Sequence, residues 1–273
     1  MAHISQLYIY PIKSLGGIAL QQSNVTSRGL EFDRRWMLID DRLQFLSQRK
    51  YPQMCLFDVA LKVNGLQVTH KPSGESIMIP YLPQTTEEVN LQVWDDLCSG
   101  TYVCEEGDAW FTKHLEIKCR LVYMADSQTR QVDERYASPE HMTSFADGYP
   151  MLLVSEASLK DLNGRLSEKI DINRFRPNIV ITDTGAYYED ILQHFSVDQV
   201  NFYGVKPCAR CVMINVDPST AITGPEPLKT LASYRKVNKK VMFGQNLIHN
   251  GTGVIKVGDE IFEHEVGEGL IFE

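Results

Sequence analysis

The chain has 273 residues, 43% of them apolar, and a formal net charge of −8. That length holds one large β or α/β domain or two smaller ones with a proper core; the acidic balance excludes a broad nucleic-acid footprint, so an anionic ligand must meet a local cluster of Arg and Lys. Six cysteines, behind an N-terminal Met1-Ala2-His3-Ile4-Ser5-Gln6 with neither a charged leader nor an apolar run, imply free thiols in the reducing cytosol, and no segment has the roughly 20 apolar residues that span a bilayer.

Leu7-Tyr8-Ile9-Tyr10 reads as a short strand ended by Pro11, whose missing N–H breaks a ladder, and Gly16-Gly17 marks a tight turn. Residues 34–39 and 43–46 flank Asp40-Asp41-Arg42 as a hairpin, with Arg34, Trp36 and Leu38 on one face and Arg35, Met37 and Ile39 on the other. Residues 59–63 and 66–70 form a second hairpin around Asn64-Gly65, so this part of the chain is expected to be a small antiparallel β unit. Further on, Ser155 is placed to cap a helix whose Leu159, Leu162 and Leu166 share a face, and Pro227 falls early in a short helix over 226–234. Strands are expected over 178–181, 199–203, 212–216 and 254–257, the last ending at Gly258-Asp259. Many short strands with few helices predict a mainly β fold of two barrel-like units, 1–122 and 123–273, with strands free to be shared between them.

The strongest chemical signal is Lys206-Pro207-Cys208-Ala209-Arg210-Cys211, followed by Val212-Met213-Ile214-Asn215-Val216. It sets a thiol among cations at the start of an expected strand. Lys206 and Arg210 favour the thiolate, the form that binds metals and attacks electrophiles. Half of a zinc site is one reading, although no second Cys pair or His-x₃₋₅-His partner completes four ligands. A redox dithiol is another, but that chemistry draws on a helix N-terminus, where the alternation here predicts a strand. A third is two buried thiols packed as small hydrophobes, which conflicts with the cost of setting cations beside an apolar core.

That stretch, with Val216-Asp217-Pro218-Ser219-Thr220, Glu226-Pro227-Leu228, Phe243-Gly244-Gln245-Asn246 and Ile255-Lys256-Val257-Gly258-Asp259 downstream, resembles the MOSC domain, the module named for the C-terminal part of molybdenum-cofactor sulfurases. Upstream, Tyr10-Pro11-Ile12-Lys13-Ser14, Phe32-Asp33-Arg34-Arg35-Trp36-Met37-Leu38 and Arg174-Phe175-Arg176-Pro177-Asn178-Ile179-Val180 resemble the N-terminal β-barrel and connecting segments of one branch. That branch holds the mitochondrial amidoxime-reducing components and the bacterial proteins that detoxify N-hydroxylated bases. The resemblance runs in order over nearly the whole chain.

The resemblance implies a molybdenum cofactor: a molybdopterin whose dithiolene holds an oxo-molybdenum centre completed by one protein cysteine. The corresponding residue here is Cys211, as metal ligand and catalytic residue, with Cys208 an outer thiol or packing residue. A thiolate suits a metal already bound by two sulfurs. For the rest of the cofactor the family motifs imply Lys13, Ser14, Arg34, Asp147, Arg176, Arg210 and Asn246, and Arg49 falls in a motif too. Each has a plainer reading. Lys13-Ser14 in a turn is commonly just solvated; Arg34 has a stem able to run past Trp36 and Leu38; Arg176 fits a surface salt bridge as well as a phosphate clamp; Asp147-Gly148 is by itself a turn.

The implied activity is reduction of N-hydroxylated compounds (hydroxylamines, amidoximes, N-hydroxylated bases), the oxygen being removed at molybdenum and the metal reset by outside electrons. Some bacterial relatives append a [2Fe–2S] ferredoxin domain with four cysteines; none of that motif follows Asp259, so a separate ferredoxin, flavoprotein or cytochrome is the expected donor. Neither a nucleic-acid polymer nor a membrane is an expected partner. The alternative is a sulfur carrier with a persulfide on Cys211, and a third reading is a module that only stores or delivers the cofactor.

Overall fold

The computed structural model describes residues 1–138 and 140–272. The fold is mainly β, and its largest sheet has nine strands. Eight follow the spatial order Phe262–Val266, Leu192–Val197, Val200–Arg210, Lys240–Asn250, Met151–Ser155, Ile179–Thr182, His3–Ile9 and Ile18–Leu20, and Lys236–Val237 pairs with Lys240–Asn250. A four-stranded sheet runs Trp36–Asp40, Cys119–Tyr123, Asp96–Tyr102, Glu88–Val93. The hairpin around Asn64-Gly65 forms as Phe57–Lys62 and Gly65–His70, with Ser76–Pro80 added.

Pairing between the two ends of the chain positions the functional region. His3–Ile9 lies antiparallel to Ile179–Thr182, with Leu7 opposite Ile179, and Gly253–Lys256 pairs with Gln22–Thr26. The first strand therefore belongs to the sheet of the C-terminal half. Its continuation, residues 10–17, is delivered against 174–178: Tyr8 donates its N–H to Asn178 O, and Arg34 N–H donates to Tyr10 O.

Several expectations change in the folded chain. Residues 212–216 are not a strand. The strand is Val200–Arg210, whose pairing with Lys240–Asn250 ends at Arg210 opposite Val241; Val212–Asn215 is a 3₁₀ turn that buries Ile214 and leaves Val212 out. Alternating apolar residues there reflect a turn folding Ile214 into a cluster with Leu231 and Phe243. Cys208 thus lies within the strand, and Cys211 follows its end rather than opening one. Arg34 precedes the strand Trp36–Asp40 in a left-handed conformation (φ 50°) and shares no strand face with Trp36. Alternation fails along that strand because both sides are covered: Trp36 and Leu38 pack with Phe57 and Phe111, while Met37 and Ile39 pack with Leu91 and Val122. Residues 43–46 return as a hairpin arm held by Asp40 N–H to Gln44 O and Leu46 N–H to Leu38 O, without becoming a full strand.

The helix after Ser155 forms over Glu156–Arg165, with the Ser155 hydroxyl accepting from Ser158 N–H at 3.3 Å. The helix expected over 226–234 is shorter, Leu228–Ala232, with Pro227 at its cap. An unanticipated helix spans Glu105–Leu115. Its acidic first turn and basic last turn match the helix dipole, but it buries only Gly107, Phe111 and Leu115, too sparse an apolar stripe to stand out in the sequence. Among the described residues no helix is long and apolar enough to cross a membrane.

Candidate cofactor and substrate groove

Residues 13–14, 45–49, 146–152, 175–178, 208–213 and 246 supply the walls of one groove. Its cavity volume is about 100 Å³. Lys13, Ser14, Arg34, Asp147, Arg176, Arg210 and Asn246 all line it, and so do Arg49 and Cys208. Cys211 is not on the lining; it is half-buried just beyond, one residue after Arg210 and two before Met213, both of which line the groove.

The loop after His3–Ile9 is fixed before any ligand is considered. Lys13 donates its backbone N–H to Trp36 O, Gln48 donates to Ser14 O at 2.6 Å, and Ser14 takes φ 69°. Both side chains are buried. The Lys13 ammonium donates to Phe145 O and to Asp147 Oδ1, each at 2.6 Å. Burial pulls its pKa down to about 8, with Asp147 offsetting part of the drop. Asp147 is exposed on its outer side, and against the desolvation it does feel, Lys13, Arg49 and a bond from Trp94 hold its carboxyl well below the usual carboxylate range.

Arg34 is mostly spent inside the protein. It donates to Asp33 Oδ2 at 2.6 Å, to Asn178 Oδ1 at 3.0 Å and to Arg176 O at 3.2 Å, with its guanidinium on the Tyr10 ring. Arg176 lies on the same ring at 4.0 Å and donates one nitrogen to Leu15 O at 2.7 Å. Its other terminal nitrogen is buried without a partner. Among the described residues no carboxylate pairs with it, and burial, together with repulsion from Arg34, lowers its pKa to about 10. Arg210 donates to Phe175 O at 2.8 Å and to the Cys208 sulfur at 3.1 Å, leaving Nε unpartnered. The cation read from the sequence as serving Cys211 therefore contacts Cys208. The Lys206 ammonium lies over Tyr136 at 4.3 Å. Asn246 is held by Lys206 O at 3.0 Å, and Gly244 just before it takes φ 83°, where a Cβ would meet Leu153 O at 2.9 Å.

Sequence reasoning missed Asn178, Phe45, Phe175 and Tyr149 as groove residues. Asn178 had a signal: an amide inside Arg176-Pro177-Asn178 leading into an apolar strand, now buried and bonding Leu152 N–H, Arg34 and Tyr8 O. The aromatic residues had none, since a lone Phe or Tyr reads as core.

The donor set suits an anionic ligand. Five cations line the groove against one carboxylate, three of the guanidinium groups, Arg49, Arg176 and Arg210, keep buried N–H bonds unmade, and such bonds are costly unless a ligand accepts them. Among the described residues no three His, Cys, Asp or Glu side chains gather to hold a bare metal ion. A metal beside these thiols would take its other donors from a cofactor.

Comparison with known proteins gives two family matches, the MOSC N-terminal beta barrel domain over residues 1–118 and the MOSC domain over residues 140–262. The human protein named mitochondrial amidoxime-reducing component 1 is 32% identical over 279 residues, covering 95% of this chain and 82% of its own. Its mouse counterpart is 31% identical over 277 residues, with 95% and 81% covered. A tomato (Solanum lycopersicum) molybdenum cofactor sulfurase is 31% identical over 287 residues, covering 94% of this chain but 35% of that longer protein.

Proposed function

From the premise that the chain belongs to the MOSC family, we propose that it binds a molybdenum cofactor in the groove and reduces N-hydroxylated compounds by removing oxygen. The observation that carries this reading is the cluster of buried, under-bonded guanidinium groups beside two free thiols. The relatives whose names refer to amidoxime reduction support the reaction class.

The residues would divide the work as follows. Arg176 and Arg210 offer unmade N–H bonds to the cofactor's anionic and polar atoms, and Arg34, itself bonded to Asn178, holds Arg176 by its backbone carbonyl. Lys13 and Ser14 stand ready for phosphate, and Asp147 offers acceptors to pterin N–H groups while keeping Lys13 charged. Cys211 is the proposed thiolate ligand and Cys208, fixed by Arg210, its neighbour. When bound, the cofactor supplies two-electron oxygen-atom chemistry at molybdenum. The overall reaction consumes two electrons and two protons, turns the N–OH group into N–H and releases water. A separate ferredoxin, flavoprotein or cytochrome would provide the electrons, and the cytosol would keep the thiols reduced.

The test is protein purified from a cofactor-producing host: about one molybdenum per chain, with reduction of an amidoxime by a chemical electron donor, is expected. A sulfur carrier would instead show cyanide-labile sulfur on Cys211 without metal, and a storage module would show metal without turnover. Either result overturns the proposal.

A further inference from the structure

Of the five cations lining the groove, four donate hydrogen bonds to the protein and the fifth, among the described residues, donates none. Lys13 is bonded to Phe145 O and Asp147, Arg34 to Asp33 and Asn178, Arg176 to Leu15 O, and Arg210 to Phe175 O. Among the described residues Arg49 makes no hydrogen bond; its polar contact is an ion pair with Asp147 at 3.6 Å, and its Nε is buried without a partner. The guanidinium is nevertheless held. Its Cζ lies over the Trp94 ring, 3.9 Å from the centroid.

Trp94 itself is placed at a cost. It sits between the strands Glu88–Val93 and Asp96–Tyr102 with φ 57°, a conformation that Gly adopts freely and Trp does not. It stays 38% exposed. Its ring meets the groove residue Phe45 edge-on at 4.9 Å, and its indole N–H donates to Asp147 Oδ1 at 3.2 Å. An indole held in strained backbone, touching three groove residues, restrains a guanidinium that donates no hydrogen bond among the described residues.

We propose that Arg49 is the specificity-determining residue of the groove, selecting N-hydroxylated substrates that carry a carboxylate or similar anion, and that Trp94 is its positioning residue. This rests on the reductase reading, with the other four cations assigned to the cofactor. A planar guanidinium with free N–H bonds recognises a carboxylate in two-point fashion, and stacking on an aromatic face removes the freedom it would otherwise lose on binding.

The experiment uses molybdenum-loaded enzyme and a pair of aryl amidoximes, one with a ring carboxylate and one without. In Arg49→Gln the ratio of kcat/KM values, carboxylate over neutral, is expected to fall about tenfold, chiefly through KM. Trp94→Ala should move in the same direction, and Trp94→Phe, which keeps an aromatic face, should retain most of the ratio. A second readout needs no turnover: Trp94 fluorescence, obtained by difference from Trp94→Phe, should change on titration with the carboxylated amidine product and not with the neutral one, and the change should vanish in Arg49→Gln. An unchanged ratio in Arg49→Gln overturns the proposal while leaving the reductase reading intact, and so does loss of molybdenum from that variant, which would make Arg49 a cofactor ligand. A wild-type enzyme that reduces neither compound overturns the reductase reading and this inference with it.

Discussion

Replacing Arg176 with Met should separate what the residue does for the fold from what it does for a ligand. Its pKa is lowered from the ordinary guanidinium value to about 10, chiefly through burial, which corresponds to about 3 kcal/mol against the charged form in the folded state. For a base, a folded value below the unfolded one makes this a penalty at every pH below about 10, fading only as pH rises past 10 toward the ordinary guanidinium value. Opposing it are the bond to Leu15 O, about 1.5–3 kcal/mol for a charged donor, and the stack on Tyr10, about 1 kcal/mol. The two sides nearly cancel. Met keeps contact with Tyr10 and inherits the same positive φ of 55°, but it leaves Leu15 O without its donor. The cofactor-free variant should therefore lie within about 1 kcal/mol of wild type, a Tm change of less than about 4 °C, whereas molybdenum per chain should fall at least tenfold in protein from a cofactor-producing host. Urea unfolding of protein from a cofactor-deficient host gives the first quantity and elemental analysis gives the second. A variant loaded like wild type would refute the anion-binding role. A loss above about 3 kcal/mol in the empty protein would show that the guanidinium is a net prop of the fold and that the burial penalty was misjudged.

Lys13, with its pKa lowered to about 8, should make anion binding weaken as pH rises through 8, with proton uptake on binding between pH 8 and 10; calorimetry with inorganic phosphate in buffers of different ionisation enthalpy measures this, and buffer-independent heats would contradict it. Cys211→Ala should abolish metal retention and turnover while leaving Tm within a few degrees, since a half-buried thiol is traded for a methyl group; Cys208→Ala should keep the metal, and the reverse pattern would reassign the ligand to the thiol that lines the groove. Glu189, fully buried and pushed up to about 7 by burial and by the charge of Asp190, is an acid whose folded value exceeds its unfolded one, so wild type should lose roughly 2–3 kcal/mol as pH rises from about 4.5 through 7. Glu189→Gln should remove that slope, and parallel pH profiles of urea unfolding for the two proteins would disprove it.

The groove residues that were legible in the sequence are polar groups set in short motifs. Lys13, Ser14, Arg34, Asp147, Arg176, Arg210 and Asn246 come from segments far apart in the chain and meet on one lining. Their individual geometry was not legible. Arg34 reaches the groove from a left-handed turn rather than a strand face, and the Arg210 side chain bonds the sulfur of Cys208 instead of serving Cys211. Local periodicity carries no record of a partner strand, and here partner strands decide the outcome. Residues 10–17 meet 174–178 because His3–Ile9 adds to Ile179–Thr182. The same holds for the thiols: a strand beginning at 212 would set Cys211 at its entrance, whereas the observed strand runs out at Arg210, opposite Val241. The turn Val212–Asn215 then buries Ile214 beside Leu231 and Phe243. What keeps Cys211 half-exposed beside the groove is therefore the end of a ladder and the apolar anchor that follows it. Loosening that anchor, as Ile214→Ala would, should disturb the thiol before it disturbs the sheet.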